Sequence, residues 1–101
     1  MVLHGLEIPE DRIADFCRQN NIRKLALFGS VLTDRFGPRS DVDVLVEFRP
    51  EARVGFLKLL GLEEELAEMI GHKVDLNTEG FLHPRFRAEA IAHAEVVYAD
   101  E

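Results

Sequence analysis

The sequence is poor in cysteine and in long apolar runs. Its 101 residues include a single cysteine, Cys17, which excludes an internal disulfide and is compatible with a reducing cytoplasm. No apolar run reaches the ~18 residues that a membrane-spanning helix requires, and the N-terminus lacks the pattern of a signal peptide. We therefore expect a cytoplasmic protein that does not enter a membrane.

The sequence also lacks an excess of positive charge. Its 12 Lys and Arg residues stand against 19 Asp and Glu residues, which gives a formal net charge of −7. This balance argues against direct nucleic-acid binding, because affinity for the phosphate backbone depends on cations. It fits docking onto a basic protein partner, although an acidic surface more often serves solubility alone. Zinc-type spacing is missing among the four histidines, which are His4, His72, His83 and His93.

The residues that are present indicate one folded domain over residues 1–101. With 47% hydrophobic and 31% charged residues, the chain can bury one core but is too short for a separate substrate domain. Apolar spacing and turn residues predict an α/β fold, in which a small mixed β-sheet of about four strands has helices packed against it. The predicted helices cover residues 9–20, 31–36, 54–70 and 84–93, and the predicted strands cover residues 23–28, 41–48, 73–77 and 95–98.

Two of these helices carry apolar residues that we expect to face the core. In the last helix they are Phe86, Ala90 and Ile91. The glutamates of the long helix are expected to be solvated, and Gly71 is well placed to cap its C-terminus. The expected apolar face of the long helix consists of Phe56, Leu59, Leu60, Leu62, Leu66, Met69 and Ile70.

The predicted strand over residues 41–48 carries the most informative pattern. Valines at every second position alternate with Asp41 and Asp43, so the two carboxylates project from one face at the start of the strand. Like charges this close repel and raise each other's pKa unless a cation lies between them. Oxygen-only ligands favour Mg²⁺ or Mn²⁺. The pair therefore predicts a divalent metal site.

The turn that precedes this strand in the sequence begins with Gly29 and Ser30. A glycine lets the backbone approach a ligand closely, and the start of a helix favours an anion. By itself, Ser30 reads more readily as a helix N-cap. Because the turn lies upstream of the aspartate pair, we interpret it as a phosphate-binding turn.

Two further residues extend this candidate site. Arg39, in the loop before the aspartate pair, is within reach of a phosphate, although a solvated loop arginine is the commoner outcome. Asp75 lies on the polar face of the strand over residues 73–77. Aspartate is disfavoured within strands, so three aspartates on two strands indicate a functional cause.

These residues resemble the signature of a known family. Gly29-Ser30, ten intervening residues and Asp41-Val42-Asp43, with a third carboxylate at Asp75, are similar to the pattern of the minimal nucleotidyltransferases, a branch of the polymerase-β-like nucleotidyltransferase superfamily. More narrowly, the chain resembles the antitoxin component of HEPN/MNT toxin–antitoxin pairs. The resemblance runs from the first helix to the last strand.

The resemblance implies a function. The fold would be a minimal nucleotidyltransferase fold, and the reaction would transfer AMP from ATP to a hydroxyl with release of pyrophosphate. Close relatives neutralise a HEPN-domain ribonuclease toxin by adenylylating a tyrosine, so a HEPN toxin and a nucleoside triphosphate are the implied partners. One or two Mg²⁺ ions (or Mn²⁺) would be held by Asp41, Asp43 and Asp75, which would also be the catalytic residues, while Gly29, Ser30 and Arg39 would bind the nucleotide.

Alternatives remain open. The chain could be a catalytically vestigial antitoxin that neutralises a toxin by binding alone, or a nucleotidyltransferase that acts on a small molecule or an RNA end. Many active members carry a basic residue shortly after Gly-Ser, whereas Arg35 is the nearest candidate here. The sequence leaves open the nucleotide base, the acceptor residue, the number of AMP units, whether a homo-oligomer forms, and the roles of Arg35, Arg85 and Arg87.

Overall fold

A four-stranded sheet forms the centre of the computed structural model, which describes residues 1–82 and 84–100 and, for Phe81, only the backbone. His83 and Glu101 lie outside the described residues. The helices are α1 (Glu10–Gln19), α2 (Phe56–Ile70) and α3 (Pro84–His93). The strands are β1 (Val2–Leu3), β2 (Leu6–Glu7), β3 (Ile22–Phe28), β4 (Val42–Phe48), β5 (Val74–Thr78) and β6 (Glu95–Ala99), and short 3₁₀ turns cover Gly29–Leu32 and Glu79–Phe81.

The main sheet is mixed, as the sequence predicts. Its strand order is β5-β4-β3-β6, with β3 antiparallel to both of its neighbours and β4 parallel to β5. A parallel pair needs a long crossover connection, and α2 supplies it. The predicted α/β fold class is confirmed.

The core lies between one face of this sheet and the helices α1 and α2. Alternate residues of β4 point into it, which is why the valines of that strand are buried, whereas Asp43 and Glu47 on the opposite side are only half-buried. Burial of each such aliphatic side chain contributes about 1.5–3 kcal/mol. The fully buried side chains include Ile13, Leu25, Leu27, Val31, Val42, Val44 and Leu66.

The two predicted apolar helix faces are only partly right. In α2, only Leu62, Leu66 and Ile70 are buried, because packing against β5 and α1 follows that four-residue spacing, whereas Phe56 and Leu60 are exposed. No residue of α3 is fully buried within the described part of the chain, and Phe86 and Ile91 are exposed. Ile91 lines a small cavity of about 30 Å³ together with Ala26 and Leu45 of the sheet. Helix α3 therefore lies over part of the sheet without being packed tightly against it.

Two shorter segments also differ from expectation. The predicted helix over residues 31–36 is a single 3₁₀ turn, Gly29–Leu32. It ends because Thr33 is extended and directs both its N–H and its Oγ1 hydroxyl to the carbonyl of Ser30, each at 2.9 Å. The lead-in over residues 1–8 is a small hairpin that ends in the buried Ile8. Within the described residues, no helix has the length and apolar character needed to cross a membrane.

Candidate active site

The three predicted carboxylates lie at one edge of the main sheet. β4 and β5 pair in register so that Asp43 is directly opposite Asp75. Side chains opposite each other on parallel strands project from the same face, and Asp41, two residues before Asp43, projects from that face as well. The structure therefore brings together the three aspartates on which the predicted metal site depends.

The electrostatics of this cluster are unfavourable for ionised Asp43. The pKa of Asp43 is raised from 3.8 to about 6, first by partial burial and then by the negative charges of Asp75 and Asp41. A cation near these carboxylates is Lys73, whose Nζ lies 3.8 Å from Oδ1 of Asp41, but its side chain is exposed and the pair is correspondingly weak. The cluster thus carries negative charge that a bound cation would stabilise.

Gly29 contacts this cluster directly. It leaves β3 with a φ of +78°, and a Cβ built on it would lie 2.3 Å from Oδ2 of Asp43. The pairing of Phe28 with Asp43 across β3 and β4 explains this closeness, because the turn after Phe28 must pass over the carboxylate. Glycine is needed here for two reasons, the left-handed backbone and the missing side chain.

Ser30 lies in the second position of the same turn. The residue that precedes the turn is Phe28, with no side-chain cap, so the helix N-cap interpretation of Ser30 is wrong. Its hydroxyl makes no hydrogen bond with another described residue, and its backbone carbonyl receives the two bonds from Thr33. The hydroxyl is therefore available to a ligand beside the aspartates.

Arg39 lies in a cleft next to Asp41. The cleft has a volume of about 470 Å³. Sequence reasoning missed Lys73 here, although the parallel register that aligns Asp43 with Asp75 also brings the residue before β5 close to Asp41. The lining residues are Pro38, Arg39, Ser40, Asp41, His72 and Lys73.

His72 is a second residue that the sequence did not single out. Its Nδ1 lies 3.2 Å from the carbonyl of Lys73, and its ring centroid is 5.1 Å from that of Phe36. The carbonyl of Lys73 also accepts the N–H of Val42 at 2.9 Å, which joins the starts of β4 and β5. His72 therefore supports the strand ends that carry the aspartates.

Among the arginines whose roles the sequence leaves open, Arg87 has a defined hydrogen bond in the structure. It lies in the first turn of α3, where it donates from Nη2 to the carbonyl of Leu82 at 3.3 Å. A backbone oxygen thus holds this arginine at a helix end that is unfavourable for positive charge.

The donor set fits a divalent metal ion. No three Asp, Glu, His or Cys side chains in residues 1–82 and 84–100 already form a metal-ligand group. Mg²⁺ commonly takes only one or two protein carboxylates and completes its shell with water and substrate phosphates, so a preformed cage is not required. The raised pKa of Asp43 and the oxygen-only chemistry of the aspartates both suit such an ion.

Comparison with known proteins identifies the family. The nucleotidyltransferase domain matches residues 10–97, a range that includes Gly29 and all three aspartates. The chain belongs to this family. The predicted resemblance to the nucleotidyltransferases is confirmed, and with it the prediction of an enzyme of that class.

Two relatives illustrate the similarity within this nucleotidyltransferase family. MJ1217 of Methanocaldococcus jannaschii, provisionally named a protein adenylyltransferase, is 31% identical over 70 residues, which cover 69% of this chain and 69% of the relative. The protein adenylyltransferase MntA of Thermococcus cleftensis is 40% identical over 55 residues, or 54% of each chain.

Solved structures share the fold. One that is provisionally described as a minimal nucleotidyltransferase has a TM-score of 0.69 at 27% identity, with 84% of this chain and 85% of that chain covered. A toxin–antitoxin structure with AMP-PNP has a TM-score of 0.73 at 19% identity, covering 92% and 75%. A complex of a tri-AMPylated HEPN toxin from Shewanella oneidensis with its MNT antitoxin has a TM-score of 0.65 at 20% identity, covering 89% and 69%.

Proposed function

We propose that this nucleotidyltransferase is a metal-dependent protein adenylyltransferase that transfers AMP from ATP to a tyrosine hydroxyl of a HEPN ribonuclease toxin and so acts as its antitoxin. The observation that carries the proposal is the alignment of Asp43 with Asp75 beside Asp41, with Gly29 packed against Asp43. Support for the substrate comes from the relatives, which are named protein adenylyltransferases, and from the fold neighbours, whose complexes contain AMP-PNP or an AMPylated HEPN toxin.

The aspartates would divide the work between metal binding and proton transfer. Asp41 and Asp43 would hold one or two Mg²⁺ ions, which when bound neutralise triphosphate charge in an in-line displacement. Asp75 would complete the second ion's ligands or accept the proton of the attacking hydroxyl. In that step the hydroxyl oxygen bonds to the α-phosphorus, the bond from that phosphorus to the bridging oxygen breaks, and pyrophosphate leaves.

The nucleotide would be positioned by the turn after β3 and by the cleft beside Asp41. The free hydroxyl of Ser30 and nearby backbone N–H groups would contact phosphate oxygens, which Gly29 permits because it has no side chain. Arg39 would contact the triphosphate from the cleft.

The acceptor would arrive on another protein. The described residues form one four-stranded sheet, a small β1-β2 hairpin and three helices, with no second lobe that could enclose a small substrate. The cleft beside Asp41 is open to solvent and accessible to a protruding segment. A tyrosine near the toxin's active site fits this geometry, and its modification would block the ribonuclease.

Intact-protein mass spectrometry tests the proposal. A HEPN toxin would be incubated with this protein, Mg²⁺ and each nucleoside triphosphate in turn, and then with ATP and a chelator. We expect mass increases of whole AMP units on the toxin, lost with the chelator and with Asp41→Ala/Asp43→Ala. The matched control is Asp11→Ala/Asp15→Ala, which removes two exposed aspartates of α1.

The same experiment separates the binding-only alternative. Toxin that is neutralised without any mass change, equally well by Asp41→Ala/Asp43→Ala, would assign the chain to the binding antitoxins and overturn transfer. Nucleotide incorporation into RNA but not into the toxin would overturn the protein acceptor.

A further inference from the structure

The outer face of α2 is apolar at its beginning, on the side of the helix that points away from the sheet. Phe56 is 70% exposed, Leu57 is 83% exposed and Leu60 is 40% exposed. Leu57, Leu60, Gly61 and Glu64 follow the spacing i, i+3, i+4 and i+7, which places them on one side of the helix. With Phe56 beside them, these residues form what we call the α2 outer face.

Gly61 in the middle of this face has neither a close contact nor a backbone conformation that requires glycine. A Cβ built on it would meet nothing within 4 Å, and its backbone is ordinary helix. Glycine inside a helix is less favourable than alanine, so the position lowers helix stability without an internal gain. A helix surface without a side chain allows another backbone or a bulky side chain to approach closely, and the exposed Leu57 and Leu60 lie on the same side.

Two exposed residues of opposite charge flank the face along the chain. Arg53 precedes the helix and is exposed, while Glu64 lies one turn after Gly61. A surface with its own positive and negative ends is complementary to itself when it is turned by 180°, as a two-fold dimer requires.

We propose that the α2 outer face binds a second copy of this chain in an antiparallel arrangement. With the two-fold axis between Leu57 and Leu60, each Leu57 packs against Leu60 of the other copy. Phe56 then lies over Gly61 of the other copy, and Arg53 faces Glu64. Apolar side chains meet apolar side chains, the largest ring meets the residue without a side chain, and opposite charges meet.

This dimer leaves both candidate active sites accessible. The buried side of α2 packs on the sheet face that contains Val74 and Leu76, whereas Asp75 projects from the opposite face. Two copies joined through their α2 helices therefore hold their aspartate clusters on the outer sides of the assembly. The inference does not depend on the proposed reaction.

Sedimentation equilibrium of the full chain, from low micromolar to several hundred micromolar, tests the proposal. We expect a monomer–dimer equilibrium that Leu57→Asp weakens by about a hundredfold, because a charge would replace an apolar contact twice in each dimer. The matched control is Val2→Asp, which changes an exposed valine outside α2 and should leave the equilibrium unaltered. A chain that stays monomeric over this range, or a dimer insensitive to Leu57→Asp, would overturn the proposal.

Charge reversal tests the antiparallel register. Arg53→Glu and Glu64→Arg should each weaken the dimer by about tenfold, and the double variant Arg53→Glu/Glu64→Arg should regain most of the loss. A purely structural role for either side chain predicts no such recovery, so additive losses in the double variant would contradict the pairing.

Gly61→Ala gives a further readout that separates association from folding. The monomer should melt at a higher temperature, because alanine favours the helix and has open space around it. The dimer should be weaker, because the added methyl group would separate Phe56 from the opposite helix. If a HEPN toxin protects the α2 outer face from hydrogen exchange while the chain alone is monomeric, the face binds the toxin and the self-association proposal is wrong.

Discussion

At Asp43 the requirements of folding and of metal binding oppose each other. Partial burial and two neighbouring carboxylates raise its pKa to about 6, so the ionised form is the one that the fold disfavours. That same ionised form is the one that a divalent cation binds. Burial is the larger cause of this cost, and the alignment of Asp43 with Asp75 adds to it, so a cation bound beside Asp43 would offset it.

Asp43→Asn should make the protein more stable and inactive. Because the pKa of Asp43 is higher in the folded chain than its ordinary value of 3.8, stability is unaffected below about pH 4, falls as the pH rises to about 6, and then stays reduced. We expect the variant to gain about 1 kcal/mol at pH 8, a figure discounted for partial exposure, and nothing near pH 4.

Urea denaturation in chelator at the two pH values measures this difference. Asp34→Asn, which changes an exposed loop aspartate, is the control that should show no gain. A loss of stability for Asp43→Asn at pH 8 would contradict the assigned cause of the raised pKa.

Gly29→Ala should strongly reduce activity, because the added methyl group contacts Asp43, and not through backbone strain alone. Gly29 and Gly71 share a left-handed backbone, with φ of +78° and +74°, but only a Cβ on Gly29 would collide with Asp43. Both alanine variants should lose about 1 kcal/mol of stability. Only Gly29→Ala should also reduce AMP transfer, by about a hundredfold or more, because Asp43 must move.

Comparing the two alanine variants by thermal melting and by transfer rate checks this expectation. Equal transfer rates for Gly29→Ala and Gly71→Ala would show that AMP transfer does not depend on the observed position of the Asp43 carboxylate.

At the scale of elements, the edge strand β5 is secured by α2. β5 ends the sheet on one side, and the backbone N–H of its buried Leu76 donates to Oε2 of Glu63 at 2.8 Å. Edge strands carry unpaired backbone groups, and a buried N–H without a partner is unfavourable. Glu63 is thus distinct from the solvated glutamates that follow it in the helix.

Glu63→Ala should therefore destabilise the protein by about 1–3 kcal/mol, because it leaves the N–H of Leu76 without its acceptor. Glu65→Ala, which removes an exposed glutamate two residues later, should change stability by less than about 0.5 kcal/mol. Chemical denaturation compares the two. Similar effects of both substitutions would mean that the Glu63 bond has no energetic role.

The elements were predictable to the extent that local patterns determine them. Helix α1 and strands β3 to β6 lie within one or two residues of the predicted ranges, because hydrophobic periodicity and the residues that form turns and helix ends are local properties of the sequence. Gly71, predicted as the C-terminal cap of α2, has the left-handed backbone of such a cap. The 3₁₀ turn after β3 was predicted too long, since a threonine hydroxyl competes there for a backbone carbonyl.

What sequence patterns do not contain is the packing partner of each face. The apolar start of α2 and Phe86 of α3 have helical spacing, yet their side chains are exposed in the described fold. The candidate site shows the same limit. Its aspartates and glycine could be predicted from spacing, whereas Lys73 and His72 depend on the register between β4 and β5, which only the folded chain defines.

For the whole molecule, the two faces of the sheet differ in how they are covered. The helices α1 and α2 cover one face, whereas α3 covers only part of the other, where the aspartates lie. The radius of gyration, 12.8 Å, is close to the ~13 Å typical of a folded chain of about 100 residues. Stability and the candidate chemistry thus depend on opposite faces of the same four strands.

The reactivity of Cys17 can be used to follow the opening of the hydrophobic core. Cys17 is fully buried, and burial raises the pKa of its thiol to about 12. We expect negligible alkylation by iodoacetamide at pH 8 in the native protein, and a rate that rises with urea in parallel with global unfolding, because the thiolate forms only after the core opens. The unfolded chain in concentrated urea is the reference. Rapid labelling of the native protein would contradict the burial of Cys17.

The parallel pairing of β4 with β5 also determines when the aspartate cluster first exists during synthesis. Asp43 leaves the ribosome long before Asp75, and the two meet only after the whole of α2 has emerged and crossed over the sheet. A nascent chain that ends before β5 has no partner for Asp43 and no complete cluster. The protein therefore completes its candidate site late, when most of the residues of its core have already been synthesised.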